Sequence, residues 1–181
     1  MRRMLFKSLA HGPLTEAAPP RDDAATAELA AQVHRAARRR LGRTLALREV
    51  DAGSCNGCEL EIHALNNVLY DLERFGMRFV ASPRHADVLL VTGPVTTNMR
   101  EALERTYQAT PHPKWVVAVG DCARDGGVFS GSYACVGGVS AVLPVDLHIR
   151  GCPPSPTALL KGLLALLEDA DRDATAGVDD R

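Results

Sequence analysis

The sequence DVLLVTG, at positions 87–93, decides the fold of this chain. Its four central residues, VLLV, are all apolar, and no polar side chain interrupts them. A continuous apolar run of this kind is typical of a strand that is buried on both faces, as strands of parallel sheets are. The run therefore predicts a central strand with other chain segments packed on each side of it.

Outward from this strand, strand-like and helix-like patterns alternate along the chain. Further strands are predicted at residues 44–50, 77–81, 115–119 and 145–149, and helices at residues 24–41, 57–75 and 98–108 and from Ser155 onward. Alternating strands and helices indicate a mostly parallel sheet with helices on both faces. The sequence therefore predicts an α/β protein with an open sheet.

Three of the predicted helices carry local signals. The helix at residues 57–75 ends at Gly76 and has an apolar face formed by Leu65, Val68, Leu69 and Leu72. Asn98 and Glu101 form a capping pair at the start of the next helix. Ser155 and Pro156 begin the last helix as its N-cap and first residue.

The chain divides into four predicted parts. Residues 1–23 are a basic N-terminal segment followed by a Pro-rich linker, and residues 24–43 are an N-terminal helix. Residues 44–169 form the α/β domain, and residues 170–181 form an acidic, flexible tail.

The overall composition excludes several classes of protein. The net charge of the 181 residues is −1, which gives no electrostatic basis for binding nucleic acid. No run approaches the ~18 apolar residues of a membrane span, so we expect a cytoplasmic chain. Five cysteines, an odd number, argue against a secreted disulfide framework. The basic start of the chain faces solvent, an anionic lipid surface or an acidic partner.

Four cysteines stand in three short motifs: Cys55 and Cys58 in GSCNGCE, Cys122 in GDCA, and Cys152 in GCPP. Each motif follows a predicted strand, so all four are expected at the C-terminal ends of strands, where open α/β sheets bind ligands. Neighbouring glycines let backbone N–H groups approach sulfur closely. The helix start at the first motif favours an anionic group and lowers the pKa of a thiol. Four thiolates from three loops suit a [4Fe–4S] cluster.

Three other interpretations of these cysteines remain open. A structural zinc ion also takes four thiolates, although zinc ribbons usually pair two CxxC motifs and this chain has one. A thioredoxin-like redox pair explains Cys55 and Cys58 but not the GDCA and GCPP motifs. Four unrelated buried cysteines would have no reason to fall at strand ends beside glycine or proline.

Four further residues share this chemistry or lie near it. Cys135, in the small-residue loop SYACVGG, is interpreted as a small buried residue rather than a fifth ligand. Glu59, directly after Cys58, either carries protons or tunes the potential of the cluster, or else only complements the positive end of the helix. His63 is interpreted as a packing or surface residue, and His148 as a structural residue in a strand.

Together the motifs resemble one family. They are GSCNGCELEI at 53–62, SPRHADVLLVTGPVT at 82–96, GDCARDGG at 120–127 and PVDLHIRGCPP at 144–154, followed by a leucine-rich end. From residue 44 to residue 168 the chain is similar to the small subunit of group 4, membrane-bound [NiFe]-hydrogenases of the formate hydrogenlyase type. These belong to the family of the complex I 20 kDa subunit.

Two positions refine the resemblance. Complex I members carry two adjacent cysteines at the first motif, whereas here Cys55 and Cys58 are separated by two residues, as in the hydrogenase branch. Ala52 stands where close relatives often have cysteine. This difference leaves the resemblance intact, because the position is not a ligand.

The resemblance implies a flavodoxin-like fold, a cofactor and a set of partners. Cys55, Cys58, Cys122 and Cys152 would hold one proximal [4Fe–4S] cluster, and a Ni–Fe centre would lie on a partner large subunit. The chain would relay electrons between that centre and a ferredoxin-like subunit with two [4Fe–4S] clusters, in the reaction 2H⁺ + 2e⁻ ⇌ H₂. An integral membrane subunit would hold the complex at the cytoplasmic side of the inner membrane, with this chain peripheral and without catalytic residues of its own.

Two alternatives for the whole complex stay open. One is a complex-I-like subunit that passes electrons to quinone. The other is a subunit of a hydrogenase-related complex without nickel. The nickel ligands would lie on another chain, so this sequence leaves the second alternative open.

Overall fold

The fold is built on a sheet of five strands. The computed structural model describes residues 23–176, and the predicted basic segment and linker, up to residue 22, lie outside the described part. The strands are β1 (Ala46–Asp51), β2 (Arg78–Phe79), β3 (Val88–Thr92), β4 (Val95–Thr96), β5 (Trp115–Val119), β6 (Cys135–Gly137) and β7 (Leu147–Ile149). The α-helices are α1 (Asp23–Leu41), α2 (Gly57–Ala64), α3 (Arg100–Ala109), α4 (Asp121–Asp125) and α5 (Pro156–Ala176).

The main sheet has the strand order β2-β1-β3-β5-β7, and every neighbouring pair in it is parallel. Counted within this sheet, the order is the doubly wound one of flavodoxin-like proteins. The predicted open, parallel α/β sheet is therefore confirmed. The strand predicted at residues 115–119 has those bounds in the structure, and the other four strands differ from their predicted bounds by one or two residues at an end.

Helices cover both faces of the sheet, and each face has its own apolar core. One core joins α1, α2 and α5 to the sheet, and the other joins α3 and α4 to it. In β3, Val88 and Leu90 lie in the first core, whereas Leu89 and Val91 lie in the second. Every residue of β3 is buried, as the continuous apolar run predicts.

The prediction of a helix at residues 57–75 is wrong for the second half of this range. After α2 the chain turns, and only a short 3₁₀ segment, Leu72–Phe75, follows. The Asn67 side chain accounts for the break, because its Oδ1 accepts the backbone N–H groups of Leu69 and Tyr70, at 2.8 and 3.1 Å. The predicted apolar face is divided: Leu65 and Leu72 are buried, and Val68 and Leu69 are exposed.

The capping pair predicted for α3 does not form, whereas the cap predicted for α5 does. Met99 is the N-cap of α3, so Asn98 lies one residue too early, and no side chain caps this helix. Glu101 pairs instead with an arginine one turn later. At α5, Ser155 Oγ accepts the backbone N–H of Ala158 at 3.3 Å.

Two helices form the ends of the described chain and pack on each other. α1 begins one residue before its predicted start, and α5 continues through residues 170–176 of the predicted acidic tail. Residues 177–181 lie outside the described part.

Within residues 23–176, no helix is long and apolar enough to cross a membrane. The structure also contains an antiparallel pair of strands, β4 and β6, that is not among the predicted elements. These strands have only two and three residues.

Asp87 joins the start of β1 to the start of β3. Its carboxylate accepts hydrogen bonds from the Arg43 guanidinium at 2.5 and 2.9 Å and from the Ala46 backbone N–H at 2.8 Å. Asp87 is 1% exposed. Because hydrogen bonds to charged groups are stronger than neutral ones, this contact fixes the segment that leads into β1.

Replacing Asp87 with alanine is expected to lower the free energy of unfolding by about 2–3 kcal/mol, because the buried Ala46 N–H loses its acceptor. For a chain of this size the melting temperature should fall by roughly 5–10 °C, measured by circular dichroism. The control is Glu101→Ala, which removes an exposed carboxylate paired with Arg105 and should change little. Equal losses in the two variants would contradict the role given to Asp87.

Candidate metal centre

The three cysteine motifs follow three strands of the main sheet at their carboxyl ends. Cys55 and Cys58 come after β1, Cys122 after β5, and Cys152 after β7. The structure brings all four cysteines to the lining of one cavity of about 110 Å³. A single water needs only ~10–15 Å³ by such a measure, so the cavity has room for a group of several atoms.

Side chain to backbone hydrogen bonds shape the loop between β1 and α2. Asp51 Oδ1 accepts the N–H groups of Gly53 and Ser54, both at 2.7 Å. Ser54 Oγ accepts the N–H of Asn56 at 3.0 Å, and Asn56 has a left-handed φ of 70°. These turns direct both cysteines of the first motif to the cavity. The sequence analysis missed Asp51, although an Asp two residues before a Gly is a recognisable turn signal.

Backbone hydrogen bonds hold the second and third motifs together. The Gly120 N–H donates to Ile149 O at 2.8 Å, and the Asp121 N–H donates to Gly151 O at 2.9 Å. The Gly151 N–H also donates to Asp121 Oδ1 at 3.3 Å. The pairing of β5 with β7 therefore extends past both strand ends, and it places the GDCA and GCPP loops side by side.

Two glycines allow the backbone to approach the sulfur atoms. Gly120 has φ 89° and ψ 164°, a conformation that is essentially restricted to glycine. A Cβ atom at Gly120 would lie 2.6 Å from Cys58 Sγ, and one at Gly127 would lie 2.8 Å from Cys122 Sγ. A side chain at either position would therefore occupy space next to a cysteine. A close approach of the backbone to sulfur is what the sequence predicts for the glycines that neighbour the cysteines, and Gly120 and Gly127 are the positions where it occurs.

The pKa values of the two inner cysteine thiols are raised. Burial is the largest cause for Cys58, and together with the Glu59 carboxylate and the other three sulfurs it raises the pKa of this thiol to about 12. Burial also raises the pKa of Cys122, although the Val128 N–H, bonded to this sulfur, opposes the change. The expectation that the helix start at the first motif lowers the pKa of a thiol is therefore wrong for Cys58. A metal cation is the kind of partner that allows such thiols to ionise together.

The four sulfurs line a common space and do not meet at one point. Within residues 23–176, no three His, Cys, Asp or Glu side chains converge on one point as the ligands of a single metal ion do. The four cysteines surround a space instead, with Cys58 and Cys122 half-buried and Cys55 and Cys152 exposed. Four thiols around one space are a candidate set of metal ligands.

The remaining candidate residues lie outside the cavity lining. Cys135 is half-buried in β6 and does not join the other four cysteines. Ala52 is fully buried in the second core, so it faces away from the cysteines. His63 is exposed, with Nε2 3.3 Å from a carboxylate of β1, and His148 is exposed in β7 rather than packed in a core. Glu59 is buried.

Comparisons with known proteins match the part of the chain that forms this site. A family model described as NADH ubiquinone oxidoreductase, 20 Kd subunit, matches residues 55–166, which include all four cysteines. Formate hydrogenlyase subunit 7 of Escherichia coli is 47% identical over 133 residues, covering 72% of this chain and 52% of the relative. A probable membrane-bound hydrogenase subunit of Pyrococcus furiosus is 47% identical over 128 residues, covering 71% and 77%. The chain thus spans about half the length of the E. coli relative.

A solved structure gives an independent match to the fold. It is that of a membrane-bound sulfane sulfur reductase, an archaeal respiratory membrane complex. One of its chains matches with a TM-score of 0.62 and 35% identity, covering 76% of this chain and 74% of that chain. The hydrogenase relatives and this structure are all parts of oxidoreductase complexes. The chain belongs to the family of the NADH ubiquinone oxidoreductase 20 kDa subunit, within which it is similar to subunits of membrane-bound hydrogenases.

Proposed function

We propose that Cys55, Cys58, Cys122 and Cys152 hold one [4Fe–4S] cluster and that the chain is the electron-transfer small subunit of a membrane-bound [NiFe]-hydrogenase. The observation that carries the proposal is the convergence of four thiols, from three strand ends, on one cavity. A bound cluster of this type exchanges one electron at a time with redox centres nearby.

The geometry favours this cluster over the other interpretations of the cysteines. A redox pair formed by Cys55 and Cys58 alone would not account for Cys122 and Cys152 on the same cavity wall. A single zinc ion draws its four thiolates to one tetrahedral centre, whereas these thiols line a space of about 110 Å³. Unrelated core cysteines would be buried, but Cys55 and Cys152 are exposed.

The residues of this chain position and insulate the cluster rather than carry out hydrogen chemistry. Cys58 and Cys122 would bind its inner side, where the glycine backbone and the Val128 N–H approach the sulfurs. Cys55 and Cys152 would bind its outer side at the protein surface. The exposed side is the natural place for another redox subunit to approach, because electron transfer requires short distances.

The proposed partners follow from the relatives. The Ni–Fe centre would lie on a large subunit, and a ferredoxin-like subunit with two [4Fe–4S] clusters would exchange electrons with this chain. An integral membrane subunit would anchor the complex, and this chain would be peripheral on the cytoplasmic side of the inner membrane. The names of two relatives, a formate hydrogenlyase subunit and a membrane-bound hydrogenase subunit, support this assembly.

A second candidate function is electron transfer in a complex without nickel. The match to a sulfane sulfur reductase favours it, because that complex is named for a reaction other than hydrogen turnover and one of its chains shares 35% identity with this chain. A complex-I-like subunit that reduces quinone is a further form of this candidate. It is less favoured, because the first motif has two residues between Cys55 and Cys58 rather than adjacent cysteines.

Elemental analysis of the complex, purified anaerobically through a tag on this chain, tests the proposal. We expect about four iron atoms per copy for the cluster on this chain, further iron from a ferredoxin-like subunit, and stoichiometric nickel. Iron without nickel would favour the second candidate function, electron transfer in a complex without nickel. Zinc in place of iron would overturn the cluster assignment itself.

A further inference from the structure

Glu59 is a buried carboxylate without a hydrogen-bond partner in the described part of the chain. It lies in the first turn of α2, directly after Cys58, and is 4% exposed. Both of its carboxylate oxygens are buried, and neither accepts a hydrogen bond. Buried polar groups are nearly always paired, so an unpaired carboxylate at this position requires an explanation.

Stability of the fold does not explain Glu59. A buried and unpaired carboxylate costs free energy, whereas an apolar side chain of similar volume would pack in its place without that cost. Complementing the positive end of α2 does not explain it either. That effect is available to an exposed glutamate in the first turn, which keeps its hydration.

The position of Glu59 places it beside the cysteine cavity. Cys58 lines the cavity, and Glu59 is the next residue of the same helical turn, buried behind the lining rather than part of it. Charges interact more strongly away from water, so a carboxylate buried beside a ligand sulfur acts on whatever that sulfur binds.

We propose that Glu59 sets the reduction potential of the cluster, as a negative charge held beside Cys58 that opposes the addition of an electron. The inference rests on the proposed function, because it assumes a cluster on the four cysteines. Net charge is one of the factors that set the potential of iron–sulfur clusters, together with cluster type, hydrogen bonds to the sulfurs and solvent exposure. Glu59 supplies the charge at a position from which water is excluded.

Glu59→Gln tests this inference, because it removes the charge and keeps the shape of the side chain. The intact complex is poised at the wild-type midpoint potential, and the reduced cluster is quantified by EPR spectroscopy. We expect the ratio of reduced to oxidised cluster to rise about tenfold, which for one electron is a shift of about 59 mV to more positive potential. Iron content should stay at the wild-type value.

Two further variants make the result specific. Glu61→Gln removes the same charge from the same helix at a residue that does not adjoin Cys58, and it should leave the ratio near that of the wild type. Glu59→Met is neutral and apolar, and it should raise the ratio as Glu59→Gln does.

The outcomes separate this inference from the proposed function. An unchanged ratio in both Glu59 variants overturns the inference and leaves the cluster assignment intact. Loss of iron from both Glu59 variants also overturns it, in favour of a structural role. A wild-type complex without a cluster signal overturns the proposed function, and the inference with it.

Discussion

Under the proposed function, replacing Cys122 with serine is expected to remove most of the iron bound to this chain and to lower hydrogen turnover by at least about 100-fold. Changes outside the ligand shell of metal sites already cost about 10–100-fold, and here a soft thiolate ligand itself is replaced. Cys122 is one of the two inner cysteines, where the Val128 N–H bonds its sulfur. Iron per copy and the EPR spectrum of the reduced complex measure the effect.

Cys135→Ala is the matched control for this experiment. It also removes a free, half-buried thiol, but Cys135 lies in β6 and does not line the cavity. Iron content and turnover should therefore remain near the wild-type values. A full-strength EPR signal from Cys122→Ser, or a loss of iron from Cys135→Ala, would show that the wrong four cysteines have been assigned.

Replacing Gly120 with alanine is expected to prevent the cluster from binding, although every cysteine remains. The new Cβ would lie 2.6 Å from Cys58 Sγ, and the φ of 89° with ψ of 164° is unfavourable for any other residue. Strain of this kind costs about 1–3 kcal/mol. We therefore expect a lower melting temperature together with a large loss of iron, measured on the same preparation.

Gly131→Ala separates backbone strain from contact with sulfur. Gly131 also has a positive φ, 79°, but a Cβ there would meet nothing within 4 Å. This variant should lose some stability and keep its iron. If Gly120→Ala retained full iron content, or if the two variants lost iron equally, the close approach of the backbone to Cys58 would not be what the site requires.

Sequence could predict the strands and the meeting of the cysteines for a common physical reason. A strand covered on both faces admits only apolar residues, so VLLV at 88–91 identifies β3 without further context. Parallel strands end at the same edge of their sheet, and motifs that follow them must come close together. The order of strands brings Cys55, Cys122 and Cys152 to that edge.

Features that depend on one side chain could not be predicted in the same way. The apolar pattern after α2 continues with helical spacing, but Asn67 takes two backbone N–H groups and ends the helix. The N-cap of α3 is Met99, one residue after the predicted Asn98. The raised pKa of Cys58 and the burial of Glu59 both depend on packing between distant segments, which no local pattern encodes.

The cavity joins chain positions as distant as Cys55 and Cys152. A group bound to both would act as a cross-link that closes a loop around most of the domain, and long loops in an unfolded chain are entropically costly to close. Because metal binding of this kind is coupled to folding, a copy that never received its cluster would be the less stable one. Proteases in the cell would then remove defective copies before they reached the complex, and electron transfer and quality control would share one site.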